Sequence, residues 1–177
     1  MKAFLIDPDT QTVSVQDYDG QPHSLYTLFG SLLVDSNALL NAHMVYSGGE
    51  AFEKGQKGFF LGEKLLFGKT LVVGMTDIEE VDATIEAETL QQLLRYELPA
   101  FYRQAIALLP PDFAFDQSCT LEGMEGATVE WVFYAFSLAD DATQSYFLDE
   151  LKKTVSGGGE VHPYLEKMGN LAIRSMQ

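Results

Sequence analysis

Three sets of residues in this 177-residue chain are of types that can do chemistry. They are Gly68-Lys69-Thr70, the acidic run Asp77, Glu79, Glu80, Asp82, Glu86 and Glu88, and the scattered Cys119, His23, His43 and His162. A phosphate-binding loop needs a glycine five positions ahead of its second glycine, and a helix N-terminus behind it, so that backbone N–H groups cradle the phosphate. Here position 63 is Glu, Gly62 is one residue out of place, and Leu71-Val72-Val73 reads as a strand. The spacing therefore predicts a turn and no nucleotide site. Clustered carboxylates suit calcium or magnesium, and Glu88 falls at the twelfth position of a loop begun at Asp77. The fifth and sixth positions of that loop, where an oxygen ligand and glycine are needed, are Val81 and Asp82. The run reads instead as a solvated acidic segment leading into a helix start, where carboxylates are favoured. The histidines show no ligand spacing, and Cys119 is the single cysteine, so no internal disulfide forms and an inert thiol is expected. No catalytic, cofactor-binding or metal-ligating residue is assigned, and the candidate site is the acidic surface from Asp77 to Glu88.

Charge narrows the partners. The chain carries 26 acidic and 11 basic residues, a formal net charge of −15. The excess peaks in residues 61–125, with twelve acids against four bases. Such a field repels phosphate backbones and anionic lipid, which disfavours nucleic acid and membrane as direct partners. A compact acidic protein can instead imitate the phosphate array of a duplex and occupy a basic cleft. The competing explanation is charge kept for solubility. No apolar run nears the roughly 18 residues of a membrane helix, and Lys2 is followed only by Ala3 to Ile6 before Asp7, too short for a secretory signal. With one cysteine, a cytoplasmic location is expected.

The elements that position these residues follow from periodicity. Lys2 to Ile6 ends at Asp7-Pro8, and Thr12 to Tyr18 alternates, so the two predict a hairpin. Ser24 is expected to cap a short helix carrying Leu25, Leu28 and Phe29. His43 to Tyr46, Gly58 to Leu61 and Thr70 to Gly74 are short β-type runs punctuated by glycine. Beyond Asp82, Leu90, Leu94, Leu98, Phe101, Ala105 and Leu109 recur at helical spacing, and Pro99 should split this stretch near Leu98. Thr128 to Leu138, rich in aromatic and branched residues on both alternating faces, predicts an interior strand with Trp131 buried. Asp140 or Asp141 should cap a helix through Val155 that ends at Gly157 to Gly159, and Leu171 to Arg174 predicts a last strand.

The stretch MKAFLIDPDTQTV, then Asp17 to Gly20, then SLYTLFG at Ser24 to Gly30, resembles the opening of a family of small phage-, plasmid- and bacterial-genome-encoded proteins of unknown function. Phe59 to Gly74, FFLGEKLLFGKTLVVG, is similar to that family's closing hairpin. The resemblance covers residues 1–88 and implies association with mobile elements, with no catalytic residue attached. The chain departs from the pattern at Ser47 to Gly55, SGGEAFEKG, and continues for about ninety residues beyond it.

These observations predict an α+β fold: residues 1–82 as a small sheet with one helix, and 86–177 as a helix-strand-helix-strand module, either separate or sharing one core. The function expected is a non-enzymatic interaction protein that binds a basic partner as a mimic of nucleic acid. The alternative is a hydrolase-type enzyme whose carboxylate site is not visible as a local motif.

Overall fold

Period-two alternation decides the first half of the chain. The computed structural model describes residues 1–115 and 117–176, which divide into two units, Met1–Leu98 and Pro99–Gln177. In the first unit β1 (Lys2–Asp7) and β2 (Thr12–Asp17) form the expected hairpin, in register from Lys2↔Asp17 to Asp7↔Thr12. Helix α1 (Pro22–Phe29) follows and stops at Gly30, whose φ of 61° is left-handed. Its start corrects the cap expected at Ser24. The proline occupies the first helical position, where a missing N–H costs nothing, so the N-cap is Gln21 and Ser24 lies inside the helix.

Next come β3 (Val34–Leu40), β4 (His43–Gly48), β5 (Gly58–Leu61), β6 (Lys64–Phe67), β7 (Thr70–Met75), β8 (Glu80–Val81), α2 (Ala87–Gln92) and β9 (Leu94–Arg95). The larger sheet has the order β2-β1-β7-β4-β3, with β8 also paired to β7, and the smaller has the order β6-β5-β9. Every pairing is antiparallel. Central β7 is covered on both sides, and Leu71, Val72 and Val73 are all fully buried. Its alternate residues sort into two clusters. Leu71 and Val73 join Ala3, Tyr18 and the α1 residues Leu25 and Phe29, whereas Val72 joins Phe4, Ile6, Val45, Phe59 and Leu90. A one-residue slip would exchange the two sets, so burial on both faces fixes the register. Gly68, at φ 69°, lies in the turn between β6 and β7, which belong to different sheets, and Lys69 pairs with Asp7 at 3.7 Å, so Gly68-Lys69-Thr70 is a turn between sheets rather than a hairpin turn.

The second unit corrects the sequence reading. Its elements are α3 (Ala100–Leu108), α4 (Val129–Ser137), α5 (Asp141–Ser156) and α6 (Val161–Met176). Pro99 caps α3, but the helical spacing does not hold up to Leu98: α2 ends at Gln92, and Leu94–Arg95 is strand β9, drawn out of the helix by pairing with β5. The strand expected over Thr128 to Leu138 is helix α4, and that expected over Leu171 to Arg174 lies within α6. The α+β class stands, but the described elements after Pro99 are helices in place of a helix-strand-helix-strand module. The α4 run is mostly apolar, with only Glu130 and Ser137 polar beside the ring-bearing Trp131 and Tyr134, a composition that also suits a strand, and packing overrode β-propensity. In α4 the buried residues are Val129, Val132, Phe133, Ala135 and Phe136, a helical stripe. Trp131 accordingly lies half-buried beside that stripe. In α6, Val161, Leu165, Met168 and Ile173 recur at helical spacing, so Leu171 to Arg174 is the end of a longer period. Helix α5 starts as expected, with the Asp140 side chain accepting the Thr143 N–H at 2.8 Å. No helix among the described residues is long and apolar enough to cross a membrane.

Candidate functional site

The acidic run is built as a tight hairpin on the end of β7. The Thr76 N–H donates to Glu79 O at 2.9 Å, and the Thr76 hydroxyl oxygen accepts the Glu79 N–H at 3.1 Å, closing a turn that presents Asp77, Ile78 and Glu79. Strand β8 then pairs Gly74↔Val81 and Met75↔Glu80. Glycine is required here by space: a Cβ on Gly74 would stand 2.3 Å from Asp82 O. The returning strand is also tied to the chain start, with Ala83 N donating to Lys2 O and Lys2 N to Asp82 Oδ1.

The six carboxylates divide by what they touch. Glu80 accepts the hydroxyl of Tyr46, and Asp82 accepts the Lys2 N–H, so these two are partly structural. Glu86 stands at the α2 N-cap without a side-chain capping bond, and Glu88 lies in the first turn of that helix. Asp77, Glu79, Glu86 and Glu88 are exposed and, among the described residues, none of the four sits in an ion pair. The side chain of Ile78, at the tip between two acids, is 88% exposed.

Folding adds carboxylates that linear spacing does not connect to this run. Asp17 lies opposite Lys2 in the β1–β2 register, and Lys2 is also bonded to Asp82. Gly20 approaches Glu80, since a Cβ there would lie 3.9 Å from Glu80 Oε2. Asp17, Asp19 and Tyr18 flank an open groove of about 350 Å³ that also takes in Ser24. Asp19 is fixed as an anion, because the Gln21 N–H and then the Ser24 hydroxyl donate to it and hold its carboxyl below the usual range. Burial, then Glu80, then Asp19 push the Tyr18 phenol up to about 12, and burial followed by its bond to Glu80 raises Tyr46 as well. Both phenols thus stay neutral beside the carboxylates at neutral pH, and the strip keeps its negative charge.

A different group of side chains converges in the second unit. His162 and Glu166 share one face of α6 at i, i+4 spacing. Cys119 reaches them from the segment ahead of α4, and the three ligand atoms lie within 4.8 Å of one another. Cys119 Sγ is 3.9 Å from His162 Nε2, and that nitrogen is 2.8 Å from the carbonyl of Ser118, which can only accept. His162 therefore donates from Nε2. Glu166 Oε1 accepts the Thr120 N–H at 2.7 Å, so histidine and glutamate together clamp the backbone on either side of the cysteine. Burial, then Glu166, push the thiol up to about 11. With Nε2 protonated toward Ser118, His162 is not placed to take the thiol proton, which removes the thiolate–imidazole pair needed for a cysteine nucleophile.

His23 and His43 stay outside this group. His43 is buried and bonded within the sheet unit through Asn41 O, Thr84 and Ile85. The convergence of Cys119, His162 and Glu166 was not legible from the sequence, because 43 residues separate the cysteine from the histidine. The one local signal is the His-x-x-x-Glu spacing on a helix. Compared with family models, curated proteins and solved structures, the chain matches none of them.

Proposed function

We propose that this chain is a non-enzymatic interaction protein that binds a basic, nucleic-acid-binding partner through the acidic strip of its first unit, in place of the nucleic acid. The observation that supports this most is that Asp77, Glu79, Glu86 and Glu88 are exposed without ion pairs among the described residues, while a rigid turn holds the first two. A turn already closed leaves little backbone to order on binding, so the arrangement favours fast, steered capture of a cationic cleft. Asp17 and Asp19 extend the charge to the groove beside Tyr18, which suits an arginine or lysine side chain. Ile78 supplies an apolar contact at the centre, where interfaces concentrate binding energy. The resemblance of residues 1–88 to proteins of mobile elements would make the partner a DNA-binding protein of the bacterial host or of the element.

The test is capture of basic DNA-binding proteins from a bacterial lysate on the immobilised chain, followed by competition with duplex DNA. A captured partner should be released by duplex DNA and by salt, since screening shortens the Debye length to about 10 Å at 0.1 M. The fourfold exchange of Asp77→Asn, Glu79→Gln, Glu86→Gln and Glu88→Gln should lower its association rate by roughly tenfold or more, the scale of electrostatic steering. Capture that resists both duplex DNA and salt, or kinetics unchanged by the fourfold exchange, would leave the charge as a solubility device.

A further inference from the structure

Cys119, His162 and Glu166 bring a sulfur, a nitrogen and an oxygen donor together on one side of α6, all within 4.8 Å. Two elements of the fold hold them. The Cys119 backbone is fixed by its N–H to Ala127 O at 2.8 Å and by the bridge Ser118↔Thr128, and the other two donors ride one helical turn apart on α6. We propose that these three side chains form a binding site for a borderline-soft divalent cation of the zinc type, with the fourth coordination position left to solvent.

The donor set selects that class. Thiolate and imidazole suit zinc and its neighbours, whereas magnesium and calcium demand oxygen ligands. Three protein ligands with one open position is a known zinc arrangement. Cys119 is buried while His162 and Glu166 are half-buried, so the sulfur lies on the inner side and the cation enters over the helix. Glu166 binds the Thr120 N–H through Oε1, and among the described residues Oε2 has no hydrogen-bond partner, which leaves it for the cation. That backbone bond is the kind of outer support that orients a ligating carboxylate. Binding changes two things at the site. The thiol gives its proton to the buffer as the sulfur–metal bond forms, and His162 gives up its contact with Ser118 O, moving its ring proton from Nε2 to Nδ1 so that Nε2 carries a free lone pair. No electron is transferred.

Cobalt(II) makes the site directly readable, because a thiolate–cobalt bond adds a near-ultraviolet charge-transfer band to the visible bands of a tetrahedral ion. Cys119 is the only cysteine in the chain, so any such band reports this sulfur alone. Titration of the untagged, full-length chain should give that band at one equivalent, and zinc should abolish it by displacement. Cys119→Ser should remove the band. Glu166→Gln keeps an acceptor for the Thr120 N–H and thereby the local fold, yet should weaken zinc binding at least roughly tenfold, the lower end of what even supporting groups are worth. Zinc should also raise the melting temperature of the wild-type chain and leave that of Cys119→Ser unchanged, since only a cation bound to the native state stabilises it. The absence of a charge-transfer band in the folded wild-type chain, or zinc binding equally tight after Cys119→Ser, would overturn the proposal.

Discussion

The two units of this chain stabilise their interiors by different means. In the sheet unit the interior admits polar residues: Ser31, His43, Ser47 and Thr70 are all buried there. Strands leave loop N–H groups at their ends without ladder partners, and buried side chains supply them. His43 is the clearest case. Its Nδ1 faces Asn41 O at 2.6 Å and must donate, which leaves Nε2 to accept Thr84 N at 3.2 Å and Ile85 N at 3.1 Å. The helical unit, whose backbone satisfies itself along each helix, builds its interior from rings. Phe133 is fully buried and lies between Phe101, Phe113, Phe115 and Phe147, with centroids 5.4 to 6.5 Å away. The interior of the sheet unit thus adds directional bonds to its apolar clusters, whereas that of the helical unit rests on the packing of rings. Charge does not separate them, since fifteen acids against six bases in 1–98 and eleven against five in 99–177 make both acidic.

The largest effect that could break this contrast is expected from Phe133→Ala. Removing a ring with four aromatic neighbours should cost about 3–5 kcal/mol, as large aromatic truncations in cores do. Trp131, two residues away on α4, is the single tryptophan and so reports this unit alone. Urea unfolding followed by its fluorescence gives the measurement. A loss below about 1 kcal/mol would mean that the ring cluster can collapse onto the space and does not specify the helix packing.

A middle-sized effect is expected in the sheet unit from His43→Leu. The replacement is apolar and of comparable bulk, so it retains burial and removes only the bonds. It strands the N–H groups of Thr84 and Ile85 and the carbonyl of Asn41. Leaving these part-buried donors unpaired should cost about 1–3 kcal/mol, and amide exchange at Thr84 and Ile85 should accelerate by more than at β7. Unchanged stability and exchange would show that water replaces the imidazole, and the sheet interior would then rest on shape as the helical one does.

The same contrast explains what was legible in the sequence. The alternation of Thr12 to Tyr18, the Asp7-Pro8 stop and the glycine-punctuated runs located β1, β2, β4, β5 and β7, because a strand with distinct faces writes its period into a few residues. Three- and four-residue helical spacing is equally plain where one face is polar, as in α5, whose cap, expected at Asp140 or Asp141, is Asp140. It fails where the outer face is itself rich in rings: in Val129 to Ser137 the half-buried side carries Trp131 and Tyr134 beside Glu130 and Ser137, and the Val, Trp, Phe and Tyr content suggests a strand. Leu171 to Arg174 misled for another reason, since four residues cannot carry a helical period by themselves. Of the acidic strip, the six residues from Asp77 to Glu88 were visible as a run, whereas Asp17 and Asp19 join it only through the register of β1 with β2 and the approach of Gly20 to Glu80. Of the Cys119 cluster only the His-x-x-x-Glu spacing of His162 and Glu166 is local, and the approach of Cys119 to them depends on where α6 packs.

The smallest effect concerns the α5 N-terminus and tests whether charge or bonding holds a helix end in the unit whose interior rests on the packing of rings. The Thr143 backbone N–H, then the Thr143 hydroxyl, hold the Asp140 carboxyl below its usual range. A depressed folded value means the ion is favoured in the native state. Its contribution is therefore complete above the ordinary aspartate value of about 4 and fades as pH falls through the lower folded value. Asp140→Ala should lower the melting temperature modestly at pH 7 and at pH 5 by the same amount, and the gap to wild type should narrow below about pH 4. Asp140→Asn keeps an oxygen for the Thr143 N–H and removes the charge, so it separates the two contributions. If the hydrogen bond dominates, this variant melts close to wild type at pH 7 and its own melting shows no step from residue 140. If attraction of the anion to the helix N-terminus dominates, it melts with Asp140→Ala. A gap between Asp140→Ala and wild type that stays as wide well below pH 4 as at pH 7 would rule out the ionised cap, because below the ordinary aspartate value of about 4 the unfolded chain takes up the proton first and the advantage of the native ion must shrink.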